Sequence, residues 1–332
     1  MSIRTQASAR PGSGAAGSGP AGVLPVAATS LTMVLWASAF IAIRAVGAHY
    51  SPGAMAFGRL AVGAAALSAV AAFRRVPRPR GRPLRLVIGY GALWFGIYAV
   101  LINAAERHLD AGTTALLVNV GPILIAVFAA LFLGEGFPRA LVAGLVVAFA
   151  GVAVIAVVTS TGRRDTVGVL FALGAATLYA AGVLLQKQAL RHVDPFTATW
   201  LGCVAGAVVC LPFAPALGHE IGAAPLAATA GIVYMGLSPT AVAFATWSYA
   251  LAHTSAGRLS SSSYLVPGLA VLMSWLLLAE TPAPLALVGG VLCLIGVAVA
   301  RLPARPASRP AGDRADGRDG GWAGLTRPRD GS

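Results

Sequence analysis

Ten long apolar stretches dominate this 332-residue chain, near residues 25–46, 53–72, 86–104, 112–133, 140–159, 167–187, 195–215, 227–251, 258–279 and 284–301. A helix rising 1.5 Å per residue needs about 20 such residues to cross roughly 30 Å of hydrocarbon, so each stretch suits a bilayer span. Helices also satisfy their own backbone groups within one segment, which lipid demands. Composition agrees, with 57% apolar and 11% charged residues and a mean hydropathy of +0.78. One soluble core could not hold that much apolar surface. The expected fold is an all-α polytopic membrane protein with ten transmembrane helices.

A net charge of +13 in a soluble chain would point to nucleic acid. Here the basic residues gather in short connections and the C-terminal tail, so the lipid bilayer is the expected partner and nucleic acid is not. Arg74, Arg75, Arg78, Arg80, Arg82, Arg85, Arg139, Lys187, Arg191 and Arg258 fall on one side of a ten-span chain. Arg107, Arg163 and Arg164 fall on the other, the last two against the trend. The positive-inside rule then places both termini in the cytoplasm of a cell-membrane protein. Residues 1–24 and 302–332, rich in small residues, proline and arginine, read as disordered cytoplasmic flanks.

Residues 108–156 align without a gap on 253–301, with fourteen identities. They include His108/His253, Pro122/Pro267, Glu135/Glu280, Gly144/Gly289 and Gly151-Val152-Ala153-Val154/Gly296-Val297-Ala298-Val299. Further upstream, Leu35-Trp36-Ala37 and Arg44 lie on Leu178-Tyr179-Ala180 and Lys187, and Pro52 lies on Pro195. The chain therefore divides into five-helix units at 25–159 and 160–301. An odd number of crossings makes the second unit enter from the opposite face, giving two inverted five-helix repeats, an arrangement frequent in transporters.

Within this frame stand Trp36-Ala37-Ser38-Ala39-Phe40, Gly58-Arg59-Leu60, Pro122 followed by Leu133-Gly134-Glu135, Pro267 with Ala279-Glu280, and the glycines 144, 151, 289 and 296. With these motifs residues 25–301 resemble the EamA family of the drug/metabolite transporter superfamily, a ten-helix type with two EamA repeats. The resemblance implies a secondary exporter of a small organic, amino-acid-like or amphipathic compound, working by alternating access. It also implies a central cavity among stretches 1, 3, 4, 6, 8 and 9, with Trp36 and Tyr179 in its wall. The second unit departs from the pattern, with Tyr179 in place of the tryptophan and Gly202 opposite Arg59.

The residues themselves suggest where a solute binds. Pro122 and Pro267 lie about 15 Å deep in their spans. Each removes a backbone donor and frees the carbonyl four residues earlier, on Val118 and Ser263. Asn119 and Tyr264 align beside these kinks, Tyr264 following a run of four serines. Trp94 and Tyr98, one turn apart at mid-span, suit an amphipathic solute. Tyr90, Tyr234, Trp247 and Tyr249 near span ends read as an interfacial aromatic belt. Arg59 is the deepest cation of the first unit, open between a substrate carboxylate, helix carbonyls and a structural hydrogen bond as partners. Arg44 and Lys187 are expected to snorkel. Glu135 and Glu280, at opposite membrane faces, stand open between a coupling role, which the resemblance invites, and a bond to a neighbouring helix N-terminus, which their position favours.

No carboxylate sits at the midplane, which speaks against a proton relay through buried carboxylates and leaves the coupling ion, or uncoupled transport, open; composition shows no direction, and a homodimer stays open as a partner. No HExxH, CxxC or GxxxxGK[ST] motif occurs, and the five histidines lie near span ends. A membrane-embedded enzyme, a metal site, a cofactor or an ATP-driven pump is therefore not expected. Cys203, Cys210 and Cys293 read as small packing residues. A channel or passive scaffold stays as the rival, distinguished from a carrier by the absence of saturable flux.

Overall fold

Every one of the ten apolar stretches carries helix, and no strand occurs among the residues that this computed structural model describes, namely 20–76, 78–133, 139–159, 163–253, 259, 262–263, 265–280 and 282–300. The helices are α1 (Pro20–Val46), α2 (Pro52–Arg74), α3 (Arg82–Ala105), α4 (Ala111–Val118), α5 (Gly121–Leu133) and α6 (Arg139–Thr159). They continue with α7 (Arg163–Ala189), α8 (Pro195–Val209), α9 (Ala214–Ala223), α10 (Leu226–His253), α11 (Leu265–Leu278) and α12 (Pro284–Ala300). The helices α1, α2, α3, α7 and α10 are each long and apolar enough to cross a membrane alone. A sixth is formed if α8 and Leu211–Ala223, bent by 53°, count as one span. Outward side chains such as Phe73, Leu226 and Val157 are 90%, 84% and 76% exposed, an apolar surface that suits lipid.

Local chemistry sets the helix ends. Pro52 and Pro195 stand in the first turns of α2 and α8, where a missing N–H costs nothing. The carboxylates of Asp110 and Asp194 accept from the N–H groups of Thr113 and Thr197, at 2.8 and 3.0 Å, capping α4 and α8. The seventh stretch stops earlier than its apolar length suggests. Pro212 and Pro215 fall where it would continue, and the chain turns into the separate helix α9.

The fourth stretch is broken in two. The helix α4 ends at Val118, residues 119–120 form a turn, and Pro122 sits in the first turn of α5. The expected disturbance is thus a full interruption. Two others were not expected: Gly91–Ile97 inside α3 and Gly236–Val242 inside α10 wind as π-helix. These segments lie 145 residues apart, the offset that relates 108–156 to 253–301.

Contacts between the units are reciprocal, as a two-fold axis requires. A Cβ at Gly289 would come within 2.7 Å of the Gly151 carbonyl, and one at Gly296 within 2.6 Å of the Gly144 carbonyl, so α6 and α12 meet through small residues. Equivalent residues meet each other near the axis. Cys203 Sγ lies 3.6 Å from the Leu60 carbonyl, and Cys293 Sγ lies 3.4 Å from that of Ala148. All three cysteines are free and buried.

Candidate functional site

A cavity of about 70 Å³ opens between α1, α2, α3, α4, α7, α10 and α11. By the usual measure it holds roughly five waters. Its walls are Trp36, Ala39, Phe40, Ile43, Arg59, Trp94, Tyr98, Ile102, Ala115, Val118, Asn119, Tyr179, Phe244, Ser263 and Val266. Six residues singled out from the sequence therefore meet here: Trp36, Arg59, Trp94, Tyr98, Asn119 and Tyr179. Pro122 and Pro267 are buried but do not line the space, and Tyr264 lies outside the described residues.

The aromatic wall is built around Trp94. Its ring centroid lies 6.0 Å from Trp36, 5.1 Å from Tyr179 and 5.0 Å from Phe244, in edge-on or tilted arrangements. Trp247 packs on Trp36 at 4.8 Å. Edge-to-face pairs of this kind fix ring orientation beyond what area burial does. Gly182 on α7 lets Trp94 approach, since a Cβ there would fall 2.6 Å from that of the tryptophan. Trp247 and Tyr90 are buried and so do not belong to an interfacial belt. Trp247 Nε1 donates to Gln186 Oε1 at 3.2 Å, and the Tyr90 hydroxyl donates to the Ala198 carbonyl at 2.7 Å. Tyr234 is exposed, as a belt residue would be.

Polar groups are few and are held from one side. Arg59 is 6% exposed, and its Nε donates to Thr240 Oγ1 at 3.1 Å, on the π-helical segment of α10. Of the partners considered from sequence, a structural hydrogen bond is present. No carboxylate lies within ion-pair distance of Arg59 among the described residues; their one ion pair is Arg44–Glu280. Asn119 donates its Nδ2 to the Ser263 carbonyl at 2.8 Å, which is the carbonyl four residues before Pro267. The kink in one unit is thus tied to the kink in the other. Asn119 Oδ1 and Trp36 Nε1 are buried without hydrogen-bond partners among the described residues. Together these groups present one cation, one N–H donor and one acceptor beside aromatic faces.

Beyond one end of the cavity lies a charged cluster. Arg44 does not snorkel, because its Nε donates to both oxygens of Glu280, at 3.0 and 3.1 Å, and its Nη1 donates to the Glu106 carbonyl at 3.1 Å. Among the described residues Glu280 accordingly binds a side chain and not a helix N-terminus. Lys187, the counterpart of Arg44, is exposed, while Glu135 and the side chains of Arg163 and Arg164 lie outside the described residues. Sequence reasoning missed Phe244 and Glu106. The spacing of Thr240, Phe244, Trp247 and Ser248, which puts all four on one face of α10, is the signal that would have found Phe244.

Comparison with known proteins adds a second line of observation. A profile of the EamA-like transporter family matches residues 24–157 and 166–302. The chain is 40% identical over 267 residues to a probable terminal-alkyne amino-acid exporter of Streptantibioticus cattleyicolor, covering 80% of this chain and 90% of the relative. It is 26% identical over 278 residues to a probable amino-acid metabolite efflux pump of Salmonella typhimurium, covering 80% and 91%. A solved crystal structure of a protein 22% identical superposes with a TM-score of 0.58, over 86% of this chain and 98% of the other, and shares the fold.

Proposed function

The chain belongs to the EamA-like transporter family, and from that premise we propose that it exports a small zwitterionic, amino-acid-like metabolite across the cell membrane, with both termini in the cytoplasm. The observation that carries this reading is Arg59, a buried cation without an acid partner among the described residues, in an otherwise aromatic cavity. A bare cation in such a place is costly unless an anion or water joins it, and a substrate carboxylate answers that need. Trp36 Nε1 is a second donor for the carboxylate. Asn119 Oδ1 is the acceptor for a substrate ammonium, and Trp36, Trp94, Tyr98 and Tyr179 offer ring faces to an apolar side chain or to the ammonium itself.

Pro122 and Pro267 act at one remove, by keeping the helices interrupted where Asn119 and Ser263 face each other. The two units rock about this cavity, so that it opens alternately to either face. The names of the relatives, an amino-acid exporter and an amino-acid metabolite efflux pump, support both cargo class and direction.

The test is a thermal-shift panel on the purified, detergent-solubilised chain with amino acids, including terminal-alkyne ones, their amides and their decarboxylated amines. A ligand that binds the folded state raises the melting temperature. Zwitterions are expected to stabilise the wild type, and neither Arg59→Gln nor Trp94→Ala. Amines lacking the carboxylate should do nothing. Stabilisation by the amines, or shifts that survive in both variants, would overturn the reading.

A further inference from the structure

Glu106 follows the last residue of α3 and is 3% exposed, yet neither of its carboxylate oxygens meets a hydrogen-bond donor among the described residues. A buried carboxylate left bare in this way is strongly disfavoured as an anion. Burial pushes the Glu106 carboxyl well above the usual carboxylate range, with Asp110 and Glu280 adding to the shift and Arg44 and Arg59 opposing it. The site lies one turn beyond the cavity wall. Tyr98, Ile102 and Glu106 follow one another at four-residue spacing on one face of α3, and the first two line the space.

The nearest cation is already committed. Arg44, on α1 of the first unit, holds Glu280 of the second unit with its Nε and reaches only the backbone carbonyl of Glu106 with its Nη1. Other charged or titratable groups facing Glu106 are Arg59 from α2, Tyr98 from α3 and Asp110 at the head of α4, while α7 brings Tyr179 to the same cavity. Arg107 turns away to the Gly47 carbonyl, and His108 stacks on Phe171. One guanidinium therefore stands between two carboxyl groups, one linking the units and one buried.

We propose that the Glu106 carboxyl is a proton-binding site that controls the Arg44–Glu280 link, closing this end of the cavity when protonated and opening it when ionised. Protonated, Glu106 makes no claim on Arg44, which stays on Glu280 and ties α1 to the segment after α11. Ionised, Glu106 competes for the guanidinium, the tie between the units is released, and water reaches the carboxylate. The charge count places this end outside the cell. Which face this end meets rests on the topology proposed above; the proton site and its link do not.

The full chain in liposomes tests the site without any substrate. Infrared difference spectra between about pH 5 and 9 should show one protonated-carboxyl band lost as pH rises, absent in Glu106→Gln and displaced in Glu106→Asp. Ile43→Cys, in the cavity wall beside Arg44, reports opening through its labelling by a membrane-impermeant maleimide. Divided by the rate with Glu280→Gln added, which removes the pH dependence of the thiol itself, its labelling rate should rise about tenfold per pH unit until the carboxyl is fully ionised, as one titrating proton requires. With Glu106→Gln added, that ratio should stay low at every pH. If Glu106→Gln does not fold, a Glu106→Asp profile identical to that of the wild type counts against the proposal. No titrating band, or a ratio that ignores pH while the band titrates, overturns it. Failure of the amino-acid panel would leave both readouts standing.

Discussion

The two halves of this molecule repeat their scaffold and not their chemistry. Gly144 and Gly151 meet Gly296 and Gly289 in mirrored contacts, and π-helical segments recur at the same offset. At the cavity, however, Arg59 has Gly202 as its counterpart, Trp36 has Tyr179, and Asn119 has Tyr264. Around the ion pair, buried Glu106 has Leu251, itself 7% exposed, and the ion-paired Arg44 has the exposed Lys187. Positions that hold helices together tolerate one solution, small residues at close approach, and so both units keep it. Positions facing a single asymmetric solute meet different chemistry from each side. At the cavity, therefore, the first unit supplies the charge, and the second supplies the surfaces against which it is held.

Changes at paired positions should break this contrast in order of size. Arg59→Ala should weaken zwitterion binding about a hundredfold, on the order of 3 kcal/mol, with a modest effect on the ligand-free melting temperature; titration calorimetry measures it. At the equivalent place, Gly202→Ala should do the reverse. Its added Cβ would fall 2.5 Å from the Tyr90 hydroxyl, costing about 1–3 kcal/mol of stability in melting experiments and leaving ligand selectivity intact.

The acid of the first unit gives a pH signature that Leu251 cannot. Because the folded chain holds a proton on Glu106 that the unfolded chain releases, stability is complete below the ordinary carboxylate range. It declines as pH rises towards the raised value, by at most about 1.4 kcal/mol per pH unit. Glu106→Gln should flatten that slope in melts taken across pH. The smallest effect is expected at Thr240, whose hydroxyl orients Arg59. Thr240→Val should cost roughly 1 kcal/mol of binding, a few-fold in affinity, with the ranking of ligands unchanged.

Much of this was legible before any coordinates. Apolar length placed helix in all ten stretches, and the paired prolines marked interruptions at Asn119 and Ser263. Depth in a span singled out Arg59, Trp94, Tyr98 and Asn119, the family resemblance added Trp36 and Tyr179, and all six line one cavity. The belt reading failed for Trp247 and Tyr90, because distance from a span end says nothing about which face of a helix is turned inward. Glu106 went unnoticed for a related reason. A carboxylate near a connection looks solvated until the packing of α1, α2 and α4 around it is known.

The sequence by itself determined the solvent of this protein, its helical class and its two-unit plan. Those follow from composition and spacing, which act along the chain and need no knowledge of neighbours. Tertiary structure alone decided that Arg59 is held by a threonine 181 residues away, that Asn119 binds the carbonyl freed by Pro267, and that Arg44 chooses Glu280. Each is a short-range contact between groups far apart in sequence. A hydrogen bond or ion pair falls off within a few ångströms, so its existence depends on how helices cross and not on which residues they carry.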